Sequence, residues 1–279
     1  MLELGRTHTL EVVKQVTFGF YLDGKNLGEV LLPNRVAPKD TKLGSTLEAF
    51  IYLDSEDRPI ATTRKPHAQT GEFAYLRVVD TNTYGAFLDW GLDKDLFVPF
   101  AEQHKKMEVG RSYLVRLYVD PRDERIVASS KIDKFVREDS PENLANGQAV
   151  DLIIANSTEL GFKAIINHSH WGVLYKADVF ERLSFGQSIK GFIRQIRDDG
   201  KIDLTLNGGS RSHDKNTQKI LAYLEKNNGY APLHDKTEPA VISAELGMSK
   251  GAFKKAIGNL EISFRISVLL HSFRVLFSE

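Results

Sequence analysis

The stretch with the sharpest chemical content runs from Thr83 through Tyr84-Gly85-Ala86-Phe87 and Asp89-Trp90-Gly91 to Asp95-Leu96-Phe97-Val98-Pro99. Tyr84 and Phe87 flank a Gly-Ala pair, so the backbone bends where its side chains are smallest and both rings can share one open patch of a curved strand. Rings held out to solvent stack on nucleobases, and they do so with little regard to sequence because every base has a π face. The competing reading makes the same rings ordinary core residues, since aromatics are enriched in strands generally.

Covalent chemistry has less to work with. There is no P-loop, dinucleotide fingerprint, nucleophile elbow or paired-histidine metal motif. His168 and His170, on one side of an expected strand before Trp171-Gly172, are the best metal candidates, but zinc usually takes three or four protein ligands and no third is in view. Asp198 and Asp199 read as turn chemistry rather than a magnesium site. The expectation is a binding protein and not an enzyme, with no cofactor and no metal.

The frame that must position the two rings occurs three times. Gly19, Gly85 and Gly161 are each followed 25 residues later by Gly44, Gly110 and Gly186, and 16 residues after that by Ile60, Ile126 and Ile202. The copies are therefore offset by 66 and then 76 residues, which suits tandem small domains better than a solenoid. Each copy reads as about five short strands. After the second glycine, Leu47, Ala49, Ile51 and Leu53 alternate with Glu48, Phe50 and Tyr52; Tyr113, Val115, Leu117 and Val119 with Leu114, Arg116 and Tyr118; Ile189, Gly191 and Ile193 with Lys190, Phe192 and Arg194. Alternation with period 2 means half-buried strands. Five strands in such a span, closed to hide their edges, make an OB-type barrel.

The 279 residues carry 37 Lys+Arg against 37 Asp+Glu, so net charge argues neither for nor against a polyanionic partner. Cysteine is absent, which removes disulfides and thiolate chemistry and suits a reducing compartment. With no signal-like N-terminus and no run of 18 apolar residues, a cytoplasmic protein without membrane contact is expected. Arg64-Lys65-Pro66-His67, Ser140-Pro141-Glu142-Asn143 and Asn207-Gly208-Gly209-Ser210-Arg211-Ser212 read as linkers. They divide the chain into barrels at 1–66, 67–139 and 146–209 and a last domain at 214–279.

In that last domain the period changes to 3.6. Ile220, Leu221 and Leu224 form a helical stripe ended by Asn227-Asn228-Gly229, Pro239 starts a short helix through Leu246, and Ser249 caps a third helix turning Phe253, Ile257 and Leu260 inward. Helix, Gly247 turn, helix is a helix-turn-helix outline, with Lys250, Lys254 and Lys255 facing outward. A small helical cap with solvated lysines is the alternative.

The glycine-bounded hairpin, glycine-anchored long strand and Asp-turn-Arg/Lys-Ile ending of all three copies resemble the S1 RNA-binding domain, a subgroup of OB folds. Three such domains before a helical C-terminal module resemble the conserved virulence factor B (CvfB-type) family of bacterial RNA-binding regulators, over residues 1 to about 260. The resemblance implies a mainly β, multidomain fold: three S1-like barrels and a winged helix. It implies RNA contacts at Phe18, Tyr21, Leu31, Asp54 and Pro59 in the first copy and at Tyr84, Phe87, Val98, Asp120 and Arg125 in the second. In the third it implies Leu160, Lys163, Tyr175, Arg197 and Lys201. The family's third-strand histidine is missing from every copy, Tyr175 being its substitute.

Single-stranded RNA, gripped by stacking and by lysine and arginine on phosphates in the service of gene expression, is the first expectation. A DNA-binding transcription regulator led by the C-terminal helices, or a scaffold for ribosome or RNA polymerase components, is the alternative. Lys163, Lys176, Lys190, Arg194, Arg197 and Lys201, together with Lys250, Lys254 and Lys255, are expected to form one basic surface. The tail departs from a wing. Glu261 to Glu279 has ten apolar residues among nineteen and none of the Gly, Asn, Asp or Pro that a hairpin turn usually draws on. The residues after about Leu260 are therefore expected not to be a native wing but the product of an altered reading frame.

Overall fold

Each repeat closes because its first strand is long enough to bend. The computed structural model describes the chain outside residues 140–143, 177–178, 180–181, 207–214, 228–229, 235, 265, 270–271 and 276–279, and outside the side chains of 215, 218 and 259–279. The second and third expected linkers, part of the Asn227-Asn228-Gly229 stop, and the side chain of Leu260 thus fall outside what is described. Strand β1 (Arg6–Val16) pairs through its second half with β2 (Gly19–Asp23) and through its first half with β4 (Thr46–Leu53), its register slipping between Val12 and Lys14. Such a bulge bends the strand and lets it serve both sides of a barrel. β3 (Glu29–Pro33) runs antiparallel to β2 and parallel to β5 (Pro59–Thr62), which returns to β4.

The same closed order recurs twice. The second barrel is β6 (Phe73–Thr81), β7 (Gly85–Asp89), β8 (Leu96–Pro99), β9 (Ser112–Val119) and β10 (Ile126–Ser129); the third is β11 (Ala149–Ser157), β12 (Gly161–Ile166), β13 (His170–Tyr175), β14 (Ser188–Ile196) and β15 (Ile202–Thr205). Their bulges, Val78/Asp80 and Ile154/Asn156, keep the sequence offsets. The frame's later glycines explain themselves there. Gly44, Gly110 and Gly186 have φ of 77°, 84° and 79° and donate their N–H to the carbonyls of Val12, Val78 and Ile154 at 2.8, 2.9 and 2.7 Å, a left-handed conformation that favours glycine.

The barrels differ from expectation in one respect. Phe50 and Tyr52, on the outer face of β4, are as buried as the inner face, because they join one core with Trp90, Leu88 and Leu96 of the second barrel. Phe50 and Trp90 meet edge to face at 5.7 Å. Likewise Leu114, on the outer face of β9, is buried with Phe73, Ile153, Ile165 and Trp171 across the second and third barrels. On β14, by contrast, the outer face carries Lys190 and Arg194, both exposed.

Residues Ser210–Glu279 make a second compact unit. Helices α1 (Lys215–Lys226), α2 (Pro239–Leu246) and α3 (Lys250–Phe264) bury Ile220, Leu224, Ile242, Leu246, Phe253 and Ile257 together. Gly247, at φ 59°, ends α2 with its N–H on the Ser243 carbonyl, and the Ser249 hydroxyl accepts the Ala252 N–H at 3.2 Å, as expected of a cap. The expectation that the tail forms no wing is overturned. α3 continues past Leu260 to Phe264, and β17 (Ile266–Leu269) and β18 (Ser272–Val275) pair with each other and with β16 (Tyr230–Ala231) in the order β16-β18-β17. The alternation of Ile266 and Val268 and the pairing offered by β16 outweigh the missing turn residues. Among the described residues no helix is long and apolar enough to cross a membrane.

Candidate nucleic-acid interface

The hairpin glycines set the site because only they allow the third strand to come so close. A Cβ on Gly19, Gly85 or Gly161 would lie 2.3, 2.2 or 2.0 Å from the carbonyl oxygen of Leu32, Val98 or Leu174. The residue before each glycine is thereby left outside the barrel: Phe18 is 56% exposed, Tyr84 75% and Leu160 74%. Tyr84 is pinned from both sides. The Asn82 Oδ1 accepts the N–H of Tyr84 at 2.8 Å and of Gly85 at 3.1 Å, while the Tyr84 carbonyl accepts the Phe100 N–H at 3.1 Å.

Tyr84, Phe87 and Arg125 do come together, around a cavity of about 410 Å³ that Tyr52, Leu53 and Asp57 of the first barrel also line. Its walls are preformed, since Trp90 and Tyr52 belong to the core the two barrels share. Phe87 is half-buried and meets Phe97 at 5.2 Å between ring centroids. Phe97 is not among the residues the motif names, and Val98, which is, is fully buried. The register explains the slip: Tyr21, Phe87 and Lys163 face Leu31, Phe97 and Val173, which keep the repeat offsets. A carry-over made by constant offset from Leu31 finds Phe97; one made by motif does not. Tyr175 instead faces Gly161, in the place that Pro33 and Pro99 hold opposite Gly19 and Gly85.

The polar end of the cavity is an ion cluster. Asp57, in the left-handed region at φ 59°, receives Lys94 at 3.0 Å on one oxygen and Arg125 on the other. The hydrogen bond from Lys94 holds its carboxyl below the usual range. Asp120 is occupied differently. Its Oδ1 accepts the Arg122 N–H at 3.0 Å inside the β9–β10 turn, as the Asp54 Oδ1 accepts those of Glu56 and Arg58 in the first barrel. Both carboxylates close turns.

In the first barrel Tyr21 is half-buried with the Lys14 ammonium 5.4 Å from its ring centroid. The third barrel has fewer groups to spare. Lys163 lies 3.9 Å over the Trp171 ring, Lys190 pairs with Asp151 at 2.5 Å and Lys201 with Asp199 at 3.1 Å. Arg197 binds both Asp203 oxygens and the Tyr175 hydroxyl, which itself donates to Asp203 at 3.1 Å. Lys176 and Arg194 are exposed. On α3, Lys250 is half-buried and Lys254 and Lys255 are exposed; these lysines belong to the second compact unit.

His168 does not stand beside His170 on a strand. With Asn167 it makes a left-handed turn, at φ 57° and 44°, ahead of β13. Its Nδ1 accepts the Phe73 N–H at 2.9 Å, its carbonyl accepts Arg116 at 2.6 Å, and its ring stacks on Phe73. The histidine ties the third barrel to the second. Burial lowers its pKa below the usual imidazole value. Among the described residues no three His, Asp or Glu side chains could hold a metal ion.

The chain has known relatives. The S1 domain model matches residues 4–64 and 70–131, and the CvfB-like winged helix domain model matches 218–268. The uncharacterized protein YitL of Bacillus subtilis is 29% identical over 276 residues, covering 92% of this chain and 88% of that one. Conserved virulence factor B of Staphylococcus epidermidis is 26% identical over 273 residues, covering 92% and 89%. A crystal structure of a multidomain protein with nucleic acid binding domains from Streptococcus pneumoniae aligns over 98% of both chains, at 24% identity and a TM-score of 0.41.

Proposed function

Since the chain joins S1 domains to a CvfB-like winged helix and so belongs to the conserved virulence factor B (CvfB-type) family, we propose that it is a cytoplasmic RNA-binding protein that acts on gene expression by gripping single-stranded RNA. The S1 domains support nucleic-acid binding, and neither matched domain is an enzyme family. The preference for RNA rests on one observation: Tyr84, pinned by Asn82 and three-quarters exposed, stands with Phe87, Phe97 and Arg125 around one preformed cavity. Rings beside a cation suit unpaired bases and their phosphates. A duplex offers its stacked bases only at the groove edges, where rings cannot stack. Phe18 and Tyr21 are the corresponding groups of the first barrel.

Competition tests the reading. Unlabelled single-stranded RNA should displace a labelled RNA from the purified chain at lower concentration than duplex DNA or heparin does. Displacement by duplex DNA first would give the leading role to the winged helix, whose exposed Lys254 and Lys255 suit a groove. Displacement by heparin as readily as by RNA would leave charge alone, and the rings idle.

A further inference from the structure

The cavity beside Tyr84 also holds a carboxylate without a partner. Asp95 lines it, is exposed, and receives no hydrogen bond or ion pair from any described residue. Lys94 and Arg125, the cations nearby, are both engaged by Asp57. Partial desolvation at the cavity wall, with the charges of Asp89 and Asp80, raises the Asp95 pKa. Asn82 lines the same cavity, and because its Oδ1 is taken by two backbone N–H groups, its amide NH2 is the part left to bind something else.

A carboxylate accepts two parallel hydrogen bonds, and the bases differ in what they offer it. Guanine alone presents two adjacent donors, N1–H and N2–H, on its Watson–Crick edge. Adenine and cytosine set a ring acceptor beside their amino group, and uracil sets its single N3–H between two carbonyls. Beyond N1–H, guanine carries the O6 acceptor that an amide NH2 can reach. We propose that this cavity takes one guanine of the bound RNA, with Asp95 reading N1–H and N2–H, Asn82 reaching O6, and Tyr84 and Phe87 against the ring faces. A volume of about 410 Å³ accommodates a purine. The assignment rests on the RNA-binding reading and adds base choice to it.

The test uses short labelled RNAs, uridylate throughout except for one central G, A, C or U, bound to the full chain and to Asp95→Asn. The G-containing RNA binds the unaltered chain on the order of tenfold tighter than the others. Asp95→Asn, which turns one acceptor into a donor, removes that preference, while an unchanged melting transition by circular dichroism shows that the fold survives. 5′-GMP competes only far above the concentration at which the G-containing RNA does. Equal binding of all four RNAs overturns the guanine assignment and leaves RNA binding intact, whereas binding of none overturns both. A preference that persists in Asp95→Asn overturns Asp95 as the reader, and GMP as potent as the RNA overturns the strand as the source of the base.

Discussion

Replacing Tyr84 with alanine separates a displayed ring from a structural one. An aromatic side chain buries roughly 200 Å² when fully enclosed. With Tyr84 three-quarters exposed, its removal uncovers only about 50 Å², or about 1 kcal/mol of folding stability. That is small against the roughly 5–15 kcal/mol of a folded domain, so the barrel survives. If the ring stacks on a base, binding loses about 1–3 kcal/mol, a rise in Kd of about 5- to 150-fold. Tyr84→Phe keeps the face and drops the hydroxyl, and should bind within about twofold of the unaltered chain if stacking is the contact. Fluorescence anisotropy with a labelled single-stranded RNA reads the affinity, and thermal denaturation followed by circular dichroism reads the fold. An unchanged Kd for Tyr84→Ala refutes stacking at this ring. A collapse of the melting transition instead refutes the claim that the ring is free of the core.

Other expected outcomes follow from the same geometry. Gly85→Ala places a Cβ against the Val98 backbone and should cost the second barrel more stability than Gly110→Ala, where no atom lies closer than 3.9 Å and the φ of 84° is the main penalty; chemical denaturation of the two variants ranks them. Burial lowers the His168 pKa, so the stability it contributes is present above the unfolded value near 6.5 and is lost as pH falls through the folded one. His168→Asn, which accepts the left-handed φ and still offers an acceptor to Phe73, should lose part of that pH dependence in melting curves between about pH 5 and 8, the rest remaining with His170, whose pKa burial also lowers. Removing Lys254 and Lys255 together should flatten the plot of log affinity against log salt by about 0.7 for each single-strand phosphate that is no longer neutralised. Truncation after Leu260 takes the last turn of α3 and both paired strands, and should unfold residues 214–260 while the barrels melt as before.

The repeat was legible because its glycines are fixed by backbone rather than by function. Gly85 must admit the Val98 carbonyl and Gly110 must sit in the left-handed region at the bulge, so their spacing survives whatever the side chains do. Phe97 was not legible, because a motif names residue types whereas the ring facing Phe87 is chosen by strand register. The double burial of β4 was hidden for a different reason. Alternation reports what one barrel does with its own strand, and Phe50 and Tyr52 are covered by Trp90, which belongs to the next. Weighing turn residues near Leu270 misjudges the wing, because it ignores β16 some forty residues earlier, the neighbour that β18 pairs with. The third barrel's basic residues are exposed or half-exposed, but the carboxylates of Asp151, Asp199 and Asp203 that occupy three of them are invisible to a count of charge.

The coats on β4 and β9 make the barrels unequal as pieces. A fragment holding the first barrel alone would bare Phe50 and Tyr52, and one holding the first two would bare Leu114 and Phe73, so each cut leaves a greasy scar where the intact chain has none. β14 instead carries Lys190 and Arg194 on its outer face. Any further copy added by duplication after β15 would first have to strip those charges, whereas loss of the third copy would demand that Leu114 and Phe73 become polar before the shortened protein could stay dispersed.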